Sequence, residues 1–364
     1  MKYKHIDSIR GIAILMVILV HASTYIHGLD KTTFILTSYC QMGVQLFFIA
    51  SAYTLCLSKS NRENENHSTI KYAIRRLFRI GPMYYTGILL YFLIAVLYVY
   101  NSNYTNKLPM YYNIQNILCN ILFLHGFYQP ANNNIVPGGW SIGTEMAFYV
   151  IFPLLYFYAK KIKEQIAQSF IIITIVIIIL SQLIFYIIYI YTHHSVYNDN
   201  FMYFTIINQL PVFYSGIVYF FIEKNGILKT NWKFDLTLFV LLTLLSLFLW
   251  LLKINHLFTI IPFISGISFV FLIEIFKKKQ FLNHPLLLRI GTVSFSMYII
   301  HFIFAWEISS KISPILIKFL GVYLTLIIVY SISIVCSFKL ALLSEKFIEK
   351  PFIEMGKRII AKIN

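Results

Sequence analysis

Residues 6–26, IDSIRGIAILMVILVHASTYI, decide the fold. The run is apolar and of membrane-spanning length, yet it carries Arg10 and His21. At about 100° per helical residue, eleven steps return to within about 20° of the starting direction, so both side chains share one helix face roughly 16 Å apart. Ionisable residues inside a membrane helix mark functional sites by default.

The remainder repeats this pattern. With 59% hydrophobic residues in 364 and apolar runs near twenty residues recurring along the chain, an ordinary water-soluble domain is excluded. The sequence reads as an all-α, polytopic integral membrane protein forming a single domain over 1–364, with no C-terminal extracytoplasmic domain. A formal charge of +16 invites a nucleic-acid reading, but no soluble stretch is long enough to present a basic surface, so no nucleic acid is expected. Cys40, Cys56, Cys119 and Cys336 are scattered and lack the close pairing of a zinc or redox site, so neither metal nor disulfide is expected.

Apolar segments fall at 9–29, 40–58, 80–100, 114–128, 140–158, 169–191, 201–222, 234–252, 257–276, 286–306 and 317–342. Charge sorts them. If 114–128 does not cross, 25 of the 30 Lys and Arg lie on one side of the membrane and only Lys31, Lys107, Lys253, Lys311 and Lys318 on the other. The positive-inside rule then puts both termini in the cytoplasm, in a plasma (inner) membrane, with about ten spans. Segment 114–128 is short and holds Asn116, Asn120 and His125, as a re-entrant or peripheral helix would. Such backbone survives at membrane depth only when buried in protein or lining a cavity. Residues 59–79 are expected to start as a loop and become an amphipathic helix running into the third span.

Depth along each expected helix brings Glu145 and His301 to the level of His21, in the middle-to-outer part of the membrane. A carboxylate and two imidazoles form a candidate acid/base set, in which the carboxylate fixes a tautomer or stabilises an imidazolium. Arg10, Arg75, Arg76 and Arg79 lie towards the inner face and suit a polyanion, since guanidinium forks bind phosphate oxygens bidentately. Each residue has a second reading. His301 serves equally as a structural hydrogen-bond partner, Glu145 as a helix-association group, and the three later arginines as topology determinants on anionic lipid.

These residues sit in motifs. Arg10 and His21 match the R-x10-H signature of the membrane acyltransferase 3 family, which the sequence resembles. GVQLFFIASAYTL (43–55) is similar to the family's FFxxSGF pattern, RRLFRIGPMYY (75–85) to its RR-x-x-R-x-x-P run, and WSIGTEMAFYVIFP (140–153) to its W-S-L-x-x-E-x-x-F-Y block. SFSMYIIHFIF (294–304) resembles its S-x-S-x-Y-x-x-H block. The five occur in family order across almost the whole chain. Ala52 stands where the family usually has Gly, and Gly143 and Thr144 replace its usual pair before Glu145. The resemblance implies an O-acyltransferase that takes an acyl group, acetyl from acetyl-CoA foremost, to a hydroxyl of a cell-surface polysaccharide or lipid-linked glycan. His21, Glu145 and His301 would then be catalytic, and Arg10, Arg75, Arg76 and Arg79 would bind acyl-CoA. A transporter or flippase using the buried groups as a proton relay is the alternative; no paired halves support it.

Overall fold

A computed structural model describes residues 3–101, 109–162, 166–192, 200–252 and 260–363. Lys107, Lys163 and Lys253 lie outside the described residues. The described chain is helical, with no strand. Helix α1 covers Lys4–Ser23, α2 Lys31–Tyr39, α3 Gly43–Ser60, α4 Ser68–Asn101, α5 Ile114–Ile121 and α6 Gly139–Lys161. Then come α7 Ile166–Thr192, α8 Asn200–Phe204, α9 Ile206–Lys224, α10 Trp232–Leu252 and α11 Ile260–Lys278. The last five are α12 Pro285–Thr292, α13 Ser294–Phe302, α14 Ser309–Leu320, α15 Val322–Ser344 and α16 Lys350–Ala361.

Nine helical stretches among the described residues are long and apolar enough to cross a membrane. The expected span at 169–191 falls on α7, whose apolar stretch within the described residues runs over Gln168–Ile184. Leucines and isoleucines such as Leu89, Leu93, Ile172 and Leu244 remain exposed on the outside of the bundle, as a lipid-facing surface requires.

Helix α1 is the axis of the molecule. It packs against α3, α12, α13 and α15, and Ile6, Ile9, Ala13, Ile14, Val17 and Ile18 are fully enclosed. Lipid offers no hydrophobic drive for helices to associate, so close backbone approach and polar contacts must hold them. A Cβ on Gly291 would lie 1.7 Å from the Asp7 carbonyl oxygen, so α12 meets α1 backbone to backbone. The methyl of Ala52 is accommodated in the same way: it faces Gly216 of α9, where a Cβ would come within 2.8 Å of it.

The basic clusters meet at one end of the bundle. Lys160 pairs with Glu63 (2.7 Å), Lys277 with Glu223 (2.6 Å) and Arg289 with Glu345 (2.5 Å), while Lys224 donates to Ser60 (2.7 Å). Charges that the sequence places on one side are thus in mutual contact there.

The segment at 114–128 does not cross. At eight residues α5 is about 12 Å long, far short of a bilayer core of about 30 Å. Its buried Asn116 and Asn120 donate to the carbonyls of Pro130 (3.1 Å) and Ala131 (3.1 Å), which folds it into the protein. One boundary differs in a way that matters. The apolar run 286–306 is not a single helix: Val293, at φ −109° and ψ 12°, ends α12, and the span begins at Ser294. His301 is therefore seven residues into α13, and a depth counted from Leu286 overstates its distance from the inner end.

Candidate active site

His21 and His301 are in direct contact. His301 Nδ1 lies 2.8 Å from the Tyr298 carbonyl oxygen and 3.2 Å from that of Met297. Carbonyl oxygens only accept, so Nδ1 carries the proton and a neutral ring leaves Nε2 bare. That Nε2 stands 3.0 Å from His21 Nδ1, which must then be the donor. The same His21 N–H is shared with the Val17 carbonyl oxygen at 2.8 Å. Geometry alone thus assigns one direction to the whole chain of bonds, and it leaves His21 Nε2 as a lone pair with no partner among the described residues.

His21, but not His301, lines a cavity that holds about 600 Å³ counting its open mouth, the histidine cavity. The His21 ring packs on Phe302 (4.4 Å between centroids) and edge-on to Trp306 (5.4 Å). Trp306 is carried by a π-helical turn, Ile303–Ile308, inserted directly after α13. Trp140, stacked on Phe204 at 4.2 Å, forms another wall, and Asn133 and Gly138 contribute from the Asn- and Pro-rich loop before α6.

A second, larger cavity opens beside the first. Counting its open mouth it holds about 1050 Å³, and Arg10, Arg76 and Arg79 line it; we call it the arginine cavity. Arg10 donates to Thr54 (3.1 Å) and lies 3.7 Å from Asp7. Arg76 lies over the Tyr72 and Tyr149 rings, 6.0 and 5.8 Å from their centroids, and its buried Nε has no hydrogen-bond partner among the described residues. No hydrogen bond or ion pair reaches Arg79 among the described residues. Guanidinium donors left unused in a cleft of this size fit a polyanion such as a nucleotide pyrophosphate. Glu349, on a second π-helical turn (Glu345–Glu349), lines the same cavity and accepts a hydrogen bond from Ser296.

Of the residues singled out in the sequence, the structure joins His21 to His301 and Arg10 to Arg76 and Arg79. Two fall elsewhere. Glu145 lines the arginine cavity, not the histidine cavity, and its Oε1 accepts from Ser51 (2.5 Å) and Tyr149 (2.6 Å). Arg75 is absent from both cavity walls and forms a two-pronged ion pair with Glu65 (3.0 and 2.6 Å). That pair holds the Glu65 carboxyl below its ordinary range. Adjacent residues on a helix point about 100° apart, so Arg75 and Arg76 cannot both face one cleft.

Sequence reasoning missed Tyr298, which with Val44 lines both cavities and so forms the wall between them. Its hydroxyl donates to the Gly138 carbonyl oxygen (3.0 Å) and meets Ser141 Oγ at 2.8 Å. Its place in the SFSMYIIHF block, one helical turn before His301, was the available signal. Gln45 and Trp306 were also missed; a glutamine within the apolar run GVQLFF was a legible cue for the first.

A family model described as an acyltransferase domain matches residues 3–341. Over 148 residues the chain is 30% identical to an uncharacterized protein of Haemophilus influenzae, a stretch covering 38% of this chain and 58% of that relative. The chain thus spans little more than half the length of that curated relative. No solved structure matches.

Proposed function

The chain belongs to the acyltransferase-domain family, and on that premise we propose that this membrane acyltransferase moves acetyl, or another acyl group, from acyl-CoA to a hydroxyl of a cell-surface polysaccharide or lipid-linked glycan. The observation that carries the proposal is the one-way hydrogen-bond chain from the Tyr298 carbonyl through His301 to His21, a cavity-lining residue whose Nε2 is left bare. It is the arrangement a general base needs, with its tautomer held from behind and a lone pair left unengaged.

In the proposed reaction, His21 Nε2 accepts the proton of the acceptor hydroxyl. The oxygen attacks the thioester carbonyl, the carbon–sulfur bond breaks, and the CoA sulfur leaves with the proton returned by His21. His301 touches neither substrate; it orients His21 and receives a stronger hydrogen bond once His21 is charged. Arg10, Arg76 and Arg79 hold the donor phosphates, and Glu145, fixed by Ser51 and Tyr149, balances their charge. Arg10 and His21 stand on one unbroken helix, about 16 Å apart by its rise, a span that suits an extended pantetheine arm. The arm passes the wall of Val44 and Tyr298. Positioning plus base catalysis suffices for a downhill acyl transfer.

The gathering of basic residues at one end supports a cytoplasmic donor side with both termini there, in the inner membrane, and an acceptor arriving from the opposite side. The test uses purified protein in lipid nanodiscs with acetyl-CoA and a surface-glycan acceptor. CoA release that rises with acceptor and falls about 10²- to 10⁴-fold in His21→Ala is expected. Glycan movement across vesicles with no CoA release, unchanged in that variant, would overturn the proposal in favour of a transporter.

A further inference from the structure

We infer that the histidine cavity is a subsite for a neutral, polyhydroxylated ring whose hydroxyls are read by Gln45, Asn133 and Trp306. The inference rests on the acyl-transfer reading above and adds to it the charge class of the acceptor and the residues that select it.

Three observations support it. First, no Asp, Glu, Lys or Arg lines this cavity among the described residues, although the adjoining cavity holds three arginines and three carboxylates. An ionised acceptor entering here would shed water with no counter-charge to meet it, a large cost that a neutral ring avoids.

Second, three of its lining side chains each keep a buried polar atom with no hydrogen-bond partner among the described residues: Gln45 Oε1, Asn133 Oδ1 and Trp306 Nε1. Buried polar atoms are nearly always satisfied, and three orphans on residues that line one cavity call for a ligand or ordered water that supplies their partners. Two are acceptors and one is a donor. A hydroxyl both donates and accepts, so vicinal hydroxyls answer such a mixed set, and an apolar alcohol with a single hydroxyl does not. The orientation of Gln45 is not arbitrary: its Nε2 donates to Gln209 Oε1 (3.1 Å) and Tyr203 (3.4 Å), which leaves Oε1 as the free end. The side chain is only 1% exposed, so it is locked in place.

Third, Trp306 packs edge-on to His21, and Phe302 and the stacked Trp140–Phe204 pair supply flat apolar surface. A ring with hydroxyls at its edge and C–H groups on its faces matches walls of this kind. The determinants and the base stand around one cavity, so the hydroxyl presented to His21 Nε2 is chosen by which of its neighbours reach the three orphans.

The experiment has two arms on the full-length protein in nanodiscs. In the binding arm, saturation-transfer NMR follows methyl glucoside, methyl galactoside and methyl rhamnoside against methyl glucuronide, glucosamine and 1-hexanol. At least one neutral glycoside is expected to bind saturably and at least about tenfold more tightly than every charged sugar and the alcohol. Trp306→Phe, which keeps an aromatic ring and removes the N–H, and Asn133→Ala are each expected to weaken that binding about tenfold, the loss of one buried hydrogen bond. In the turnover arm, the same panel is offered with acetyl-CoA, and the expected change in both variants is in acceptor KM, with donor KM unmoved. Equal binding of charged and neutral rings, no binding of any neutral glycoside, or unchanged affinity in both variants would overturn the subsite. Saturable, variant-sensitive glycoside binding without CoA release to any acceptor would instead uphold the subsite and sink acyl transfer. CoA release to charged acceptors alone would do the reverse.

Discussion

Replacing His301 by alanine tests the assignment of roles most directly. In the resting protein the bond from His21 Nδ1–H to His301 Nε2, at 3.0 Å, is between neutral groups. Such a bond contributes about 1 kcal/mol, and one to a charged group about 1.5–3 kcal/mol. Only the difference, about 0.5–2 kcal/mol, belongs to the transition state, because only there has His21 taken a proton. At 1.36 kcal/mol per tenfold, His301→Ala should lower kcat by about 2- to 30-fold. The Val17 carbonyl oxygen at 2.8 Å still holds the His21 N–H, which is why the loss should stop there. His301→Gln, which can offer a carbonyl oxygen to the same N–H, should recover part of it. The assay is steady-state CoA release read with a thiol reagent, with donor and acceptor varied separately and thermal unfolding checked on each variant. A fall of about 10²- to 10⁴-fold with an intact fold would make His301 the base itself and refute the direction assigned to the chain. No change in kcat would strip the pair of any part in the chemistry.

Other expectations separate the cavities. Arg79→Gln should raise donor KM about 10- to 100-fold, as loss of a charge-assisted phosphate contact does, while Arg75→Gln should move it less than about twofold. Glu145→Gln should shift donor KM and leave acceptor KM alone; a change confined to acceptor KM would return Glu145 to the histidines. Gly291→Ala forces a methyl onto the Asp7 carbonyl and should cost about 3 kcal/mol or more, read as a lowered unfolding temperature in detergent. The Asp30 carboxyl, which caps α2 through the N–H groups of Thr32 (2.9 Å) and Thr33 (3.1 Å), is pulled down to about 2, chiefly by hydrogen bonds from Thr33 and then Tyr323. A lowered folded value means the cap is complete above an ordinary Asp value of about 3.9 and is lost only as pH falls through about 2. Hydrogen exchange at residues 31–34 should therefore stay protected from neutral pH down to about 4, and fading protection near pH 6 would refute the cap.

The placing of Arg10 and His21 on one helix was legible because helical periodicity is local, and α1 is unbroken between them. The contact of His21 with His301 was half legible. Depth along a helix can be counted, but the apolar run 286–306 hides the break at Val293, since Gly291, two residues earlier, is a lone glycine in an apolar run and does not by itself end a helix. Glu145 shows the limit of counting. Its level in the membrane is readable from Trp140 onward, yet which neighbour it faces depends on how α6 is rotated against α3, and the contact with Ser51 settles that only in three dimensions. Arg75 and Arg76 are indistinguishable by composition or charge; Glu65 claims one, and the cavity receives the other.

The two π-helical turns carry a consequence of a different kind. Each stands beside one cavity, Ile303–Ile308 bringing Trp306 and Glu345–Glu349 bringing Glu349. A π turn holds one residue more than the α-helix around it, so deleting a single residue lets it relax into ordinary helix and re-aims the side chains within the turn while the flanking helix keeps its register. Here the aim of a side chain is written in the number of residues rather than in their identity. Substitution across 303–308 away from Trp306 should be tolerated where a one-residue deletion is not, and the reading frame of the helix becomes part of what selection must preserve.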